Sequence, residues 1–166
     1  MPIGADTFSV TAVGDQDIEI QRSFRAPRRL VFDAWTKPEL VKRWLGVRAG
    51  WILADCEIDL RVGGAYRFVW RKEAKGIDMG MGGVYLEVEI PERTVCTELF
   101  DDAWYAGSAI VTTTFVERND ETRVTMRIRY ESREAREGVM KSGMQTGVQQ
   151  SYDLLDDLLE TWKRDV

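Results

Sequence analysis

SREAREGVMKSGMQTGVQQSYDLLDDLLETW, residues Ser132–Trp162, carries the pattern that decides the fold. Apolar side chains recur at Met140, Met144, Val148, Tyr152, Leu155, Leu159 and Trp162, in steps of three or four, which is one face of an α-helix. Val139, Leu154 and Leu158 widen the stripe, while Lys141, Gln145, Gln149, Asp153, Asp156, Asp157 and Glu160 fall mostly on the opposite side. The spacing predicts one helix of about thirty residues, a rod of roughly 45 Å. A helix that long needs a broad apolar surface to lie on, and the preceding residues read as a sheet that supplies it.

Working outward, Ile18–Phe24 alternates apolar and polar and reads as a strand. Thr7–Val13 reads as a short strand or a tail, and residues 1–6 as a frayed tail. Pro27 and Pro38 each suit the first turn of a helix, the first running through Thr36 and the second ending at Gly46. Ile52–Leu60 and Ala65–Arg71 predict a hairpin across Gly63-Gly64, with Asp59 opposite Arg67, Asp55 opposite Arg71, Ile58 opposite Phe68 and Cys56 opposite Trp70. The glycine-rich stretch Glu73–Gly83 reads as a connection, with a lid over a cavity as the alternative. Its glycine-rich part, Gly76–Gly83, lacks the lysine and hydroxyl residue of a phosphate loop. Val84–Ile90 then predicts a strand with Val84, Leu86, Val88 and Ile90 alternating with Tyr85, Glu87 and Glu89, and Thr94–Phe100 the next. Ala109–Glu117 and Thr122–Tyr130 follow, with Ala109, Val111, Thr113 and Phe115 facing Val124, Met126, Ile128 and Tyr130 inside, and Arg123, Arg127 and Arg129 outside. Hairpin-length links imply an antiparallel sheet with one solvated face. Sheet plus covering helix makes the class α+β, in a single domain spanning residues 1–166.

Composition narrows the function. A net charge of −5 argues against nucleic acid, which requires a basic surface. No apolar run reaches the length of a membrane span, and the opening MPIGADTFSV lacks the features of a signal peptide. Cys56 and Cys96 are too few for a disulfide framework, so a cytoplasmic location is expected. There is no histidine, which removes histidine acid–base chemistry, the triads built on it and histidine-ligated metals. Asp55, Glu57 and Asp59 read as a solvated strand face rather than a metal or acid–base cluster. No catalytic residue, metal site or cofactor is assigned.

Four segments carry a resemblance: RAPRRLVFDAWTKPELVKRWLG (Arg25–Gly46), CEIDLRVGGAYRF (Cys56–Phe68), GVYLEVEIPERTV (Gly83–Val95) and GMQTGVQQSYDLLDDLLE (Gly143–Glu160). In this order the chain resembles the START-like, helix-grip superfamily, also called SRPBCC. Within it the chain is similar to the C-terminal domain of the activator of the heat-shock-protein-90 ATPase. Leu45 and Val148 stand where that pattern often has tryptophan, which implies a cavity different from that of relatives. The resemblance implies a curved antiparallel sheet of six to seven strands gripping the last helix, with an apolar cavity between them for a hydrophobic small molecule.

The residues expected to line that cavity are Trp35, Trp44, Tyr66, Phe68, Trp70, Val84, Leu86, Val111, Thr113, Phe115, Met126, Tyr130, Met140, Met144, Val148 and Tyr152. Gly138, Gly143 and Gly147, costly in a helix, are expected to make room beside them. Tyr66, Tyr130, Tyr152, Thr113 and Gln149 are the polar candidates for orienting a ligand. Three functions remain: a binding protein for a hydrophobic small molecule, a cyclase- or lyase-like enzyme using tyrosines and bound water, and a co-chaperone-like interaction module. The last implies a chaperone partner, although the N-terminal domain of the eukaryotic activator is not expected here. Trp104-Tyr105, in the loop Asp101–Gly107, is a candidate surface for a homodimer.

Overall fold

The computed structural model describes residues 8–164, so the expected tail at residues 1–6 lies outside the described residues. The described chain runs β1 (Ser9–Val13), β2 (Asp17–Phe24), α1 (Arg28–Thr36), α2 (Pro38–Val41), β3 (Trp51–Ile58), β4 (Ala65–Lys72), β5 (Ile77–Glu89), β6 (Arg93–Phe100), β7 (Ala109–Arg118), β8 (Glu121–Arg129), α3 (Arg133–Met140) and α4 (Met144–Arg164). The strands form one sheet of eight in the order β1-β2-β8-β7-β6-β5-β4-β3, every pair antiparallel. The class is α+β, as the sequence predicts. The count exceeds six to seven because β1 pairs with β2 along its whole length. The link from β2 to β3 crosses from one end of the sheet to the other and carries α1 and α2. Pro27 and Pro38 open these helices, where a missing N–H costs nothing. Trp44 Nε1 donates to the Ala34 carbonyl at 2.9 Å and ties the second turn to the first.

Three local expectations fail for physical reasons. The long helix is broken into α3 and α4 at Gly143, whose φ of +83° is left-handed and ends the helical path. Ser132 caps α3 by accepting from the Ala135 amide at 3.0 Å. The β3–β4 hairpin pairs Ile58 with Tyr66 and Cys56 with Phe68, two residues away from the predicted register, and a bulge between Leu53 and Asp55 reverses the phase beyond it. Leu53 is therefore buried and Ile52 exposed. Arg67 pairs with Asp101, and Arg71 with Asp78 at 2.9 Å, in place of Asp59 and Asp55. Finally, Ile77–Gly83 is strand, not connection. Its glycines are there for space: a Cβ at Gly80 would overlap the Asp101 carboxylate and the Arg67 guanidinium that bridge across it.

The core has two parts. The larger joins β2, β7, β8, α1 and α4 through Ile18, Phe24, Phe32, Phe115, Leu155 and Leu159. The smaller sits on β3–β5 and holds Leu53, Tyr66, Phe68, Trp70, Met81 and Tyr85 with Val41. Buried Arg22 on β2 fastens α4 to the sheet, with Nη1 2.5 Å from Asp153 and Nη2 3.8 Å from Asp156.

Candidate functional site

A cavity of about 500 Å³ lies between the sheet and the first half of α4. Strand alternation aims its walls. Tyr66, Phe68 and Trp70 come from β4, Met79, Met81 and Tyr85 from β5, and Thr94, Cys96, Glu98 and Phe100 from β6. Val111 and Thr113 come from β7, with Met126 and Ile128 from β8 and Tyr130 just beyond it. Trp35 and Trp44 close one side, while Met144, Gly147, Val148, Ser151 and Tyr152 of α4 form the roof. The loop Asp102–Tyr105 contributes at the rim, where Trp104 is 63 % exposed.

Twelve of the sixteen residues expected to line the cavity do so: Trp35, Trp44, Tyr66, Phe68, Trp70, Val111, Thr113, Met126, Tyr130, Met144, Val148 and Tyr152. Four do not. Val84 and Leu86 point outward, 39 % and 44 % exposed, because pairing places Met81 opposite Phe68 and so gives the inner face to Met79, Met81 and Tyr85. Phe115 is core, its ring 5.1 Å from that of Phe32. Met140 ends α3 and packs on the larger core. Gln149 is exposed on α4 and cannot orient anything inside. Of the three glycines only Gly147 lines the cavity. A Cβ there would press on the Arg48 guanidinium, and one at Gly138 on the Trp104 ring.

The helix–loop junction under the cavity is fixed by close contacts. Gly46 has φ +69°, and a Cβ on it would overlap the Trp70 indole. That indole donates from Nε1 to the Leu45 carbonyl at 2.9 Å, and the Gly46 amide donates to Ser151 Oγ at 3.1 Å. Tyr66 Oη donates to the Thr97 carbonyl at 2.6 Å, which holds its ring in the wall.

Sequence reading missed Glu98. It occupies the inward phase of β6 between Cys96 and Phe100, is half-buried and lines the cavity. Burial pushes its carboxyl up from 4.5 to about 7, with no compensating partner among the described residues. Period-two alternation was the available signal: Thr94, Cys96, Glu98 and Phe100 share a face, and an acid there is anomalous. Around it the other groups stay neutral. Burial pushes Cys96 up to about 12, and burial followed by the Glu98 charge pushes Tyr105 up to about 12. Tyr66 and Tyr130 are raised further, also chiefly by burial. Thiol and phenols therefore stay protonated near neutrality, whereas Glu98, raised to about 7, exchanges its proton there. Among the described residues no cluster of histidine, cysteine, aspartate or glutamate could hold a metal ion, and no helix is long and apolar enough to cross a membrane.

Solved structures share this architecture. A protein from Rhodobacter sphaeroides, 29% identical, superposes with a TM-score of 0.88 over 94% of this chain and 99% of that one. Protein CV1439 from Chromobacterium violaceum is also 29% identical, with a TM-score of 0.73 over 87% and 97% of the two chains. An Hsp90 activator from Plasmodium falciparum shares the fold at 23% identity, with a TM-score of 0.52 over 69% of this chain and 72% of that one. A search of curated proteins found no match. The family model described as "Activator of Hsp90 ATPase homolog 1-like protein" matches residues 25–160, from the strand–helix junction before α1 to the last turns of α4, and the chain belongs to that family.

Proposed function

We propose that the protein binds a hydrophobic small molecule in the cavity between its sheet and α4. The observation that carries this reading is the cavity itself: about 500 Å³, with eleven aromatic and four methionine side chains in its lining, within the size range of ligand pockets. Methionine and aromatic walls adapt to apolar shapes at little cost. The two free cysteines, Cys56 and Cys96, suit a reducing cytoplasm. The test uses the neutral dye N-phenyl-1-naphthylamine. Its fluorescence is expected to rise and saturate on titration into the wild type. The Val148→Trp variant, which fills the roof, is expected to lose that response while keeping its circular dichroism spectrum. Equal dye binding by both would place the dye elsewhere and remove the support.

Acid–base catalysis in the same cavity is a second reading, favoured by Glu98 alone. It requires that a cavity ligand be altered on incubation with the wild type and returned unchanged from Glu98→Gln. Recovery of the same compound intact from both proteins sinks it.

A further inference from the structure

The cavity wall has a one-sided charge inventory. Glu98 lies inside and Asp102 at the rim, and none of the described lining residues is lysine, arginine or histidine. A half-buried carboxyl without a partner is destabilising when charged, and replacing it by an apolar residue would remove that cost. Its surroundings are aromatic from several sides: Tyr66 from β4, Phe100 from β6, Tyr105 from the β6–β7 loop and Tyr130 after β8. A carboxylate beside several aromatic rings, with no lysine, arginine or histidine among the described lining residues, is an arrangement that receives a cation. A fatty acid or phosphate ester would instead bring its negative charge to Glu98 with nothing to neutralise it. A metal ion lacks the additional ligands it needs. Building on the apolar-ligand reading above, we infer that the cavity selects a hydrophobic amine, whose ammonium group pairs with Glu98 while its apolar body fills the space under α4.

The pairing completes the site in both directions. The ammonium supplies Glu98 with the partner it lacks among the described residues, near Tyr66, Tyr105 and Tyr130. Cys96 stays a neutral thiol, its Sγ 3.8 Å from Tyr66 Oη, and does not compete.

The test is displacement of N-phenyl-1-naphthylamine at pH 8 by three compounds of similar shape: 1-naphthylmethylamine, 1-naphthalenemethanol and 1-naphthylacetic acid. The amine is expected to displace the dye at a concentration at least about tenfold lower than the alcohol, and the acid to be weakest. In Glu98→Gln the amine is expected to fall to the level of the alcohol, with the alcohol unchanged. An amine no better than the alcohol, an acid better than either, or an amine preference that survives in Glu98→Gln overturns the inference, while dye binding still supports an apolar cavity. Failure of the dye itself to bind the wild type overturns the cavity reading on which the inference rests. Circular dichroism and the dye titration of Glu98→Gln establish that the variant is folded and its cavity open.

Discussion

Glu98 occupies a strand position where an apolar side chain would be the stable choice, and this fixes the sign of a pH effect. Burial raises its folded-state pKa from 4.5 to about 7. Between those values the folded chain holds a proton that the unfolded chain has lost, so this group's contribution to stability falls as pH rises through the window. The full loss is roughly 3 kcal/mol, reached above the folded pKa. Glu98→Gln has no charge to bury. Its thermal midpoint is expected to exceed that of the wild type by several degrees at pH 8, and the difference to vanish near pH 4.5 and below. Calorimetric scans of both proteins across that range check this, and a constant offset at all pH values would count against the assigned burial. Glu98 was legible in principle, since Thr94, Cys96, Glu98 and Phe100 lie on one face of β6. It was overlooked because strand charges usually mark the solvated face. The aromatic residues of β4 were plain from the sequence, because three large rings at alternate positions have no other stable place to go.

Elements were legible where their period ran unbroken and illegible where the backbone changed phase. β7 and β8 keep strict alternation, and Ala109, Val111, Phe115, Val124 and Ile128 are buried as read. In β3 the bulge between Leu53 and Asp55 reverses the alternation, and nothing in WILADCEI announces it. In β5 the glycines read as a connection, because space for the Arg67–Asp101 pair is a tertiary demand that no local pattern states. The α3–α4 break is the third case, since the apolar stripe continues across it in sequence while the chain turns at Gly143. A side chain at Gly143 would touch nothing within 4 Å, so the cost of Gly143→Ala is purely that of holding φ at +83°. That cost is roughly 1–2 kcal/mol, expected to appear as a fall of about 2–8 °C in thermal midpoint. A midpoint equal to or above that of the wild type would mean that the two helices merge without penalty.

On the scale of the whole molecule, α4 packs into the larger core with one half and roofs the cavity with the other. Its second half puts Leu155 and Leu159 into the larger core, and Arg22 fixes Asp153 and Asp156 from β2. Its first half spans the cavity, across which the smaller core on β3–β5 faces it, while Leu45, Leu60 and Cys96 pack against both cores. The sequence could indicate a helix gripped by a sheet, but not this gap, since a cavity is a property of distances among residues far apart in the chain. A ligand in the gap adds contacts between two cores that Leu45, Leu60 and Cys96 already bridge. A cavity ligand is therefore expected to stabilise the whole fold, by RT ln(1 + [L]/Kd), or about 2.7 kcal/mol at a hundredfold excess over Kd. For a chain of this size the thermal midpoint rises by roughly 5–10 °C. Hydrogen exchange is expected to slow together in β4, β5 and the first turns of α4, the elements that touch the cavity from opposite sides. Slowing in β4 and β5 alone would place the ligand on the sheet and not beneath the helix. With 1-naphthylmethylamine as the probe, the gain in midpoint is expected to shrink in Glu98→Gln to that given by 1-naphthalenemethanol, since the apolar contacts remain and only the charge pairing is lost.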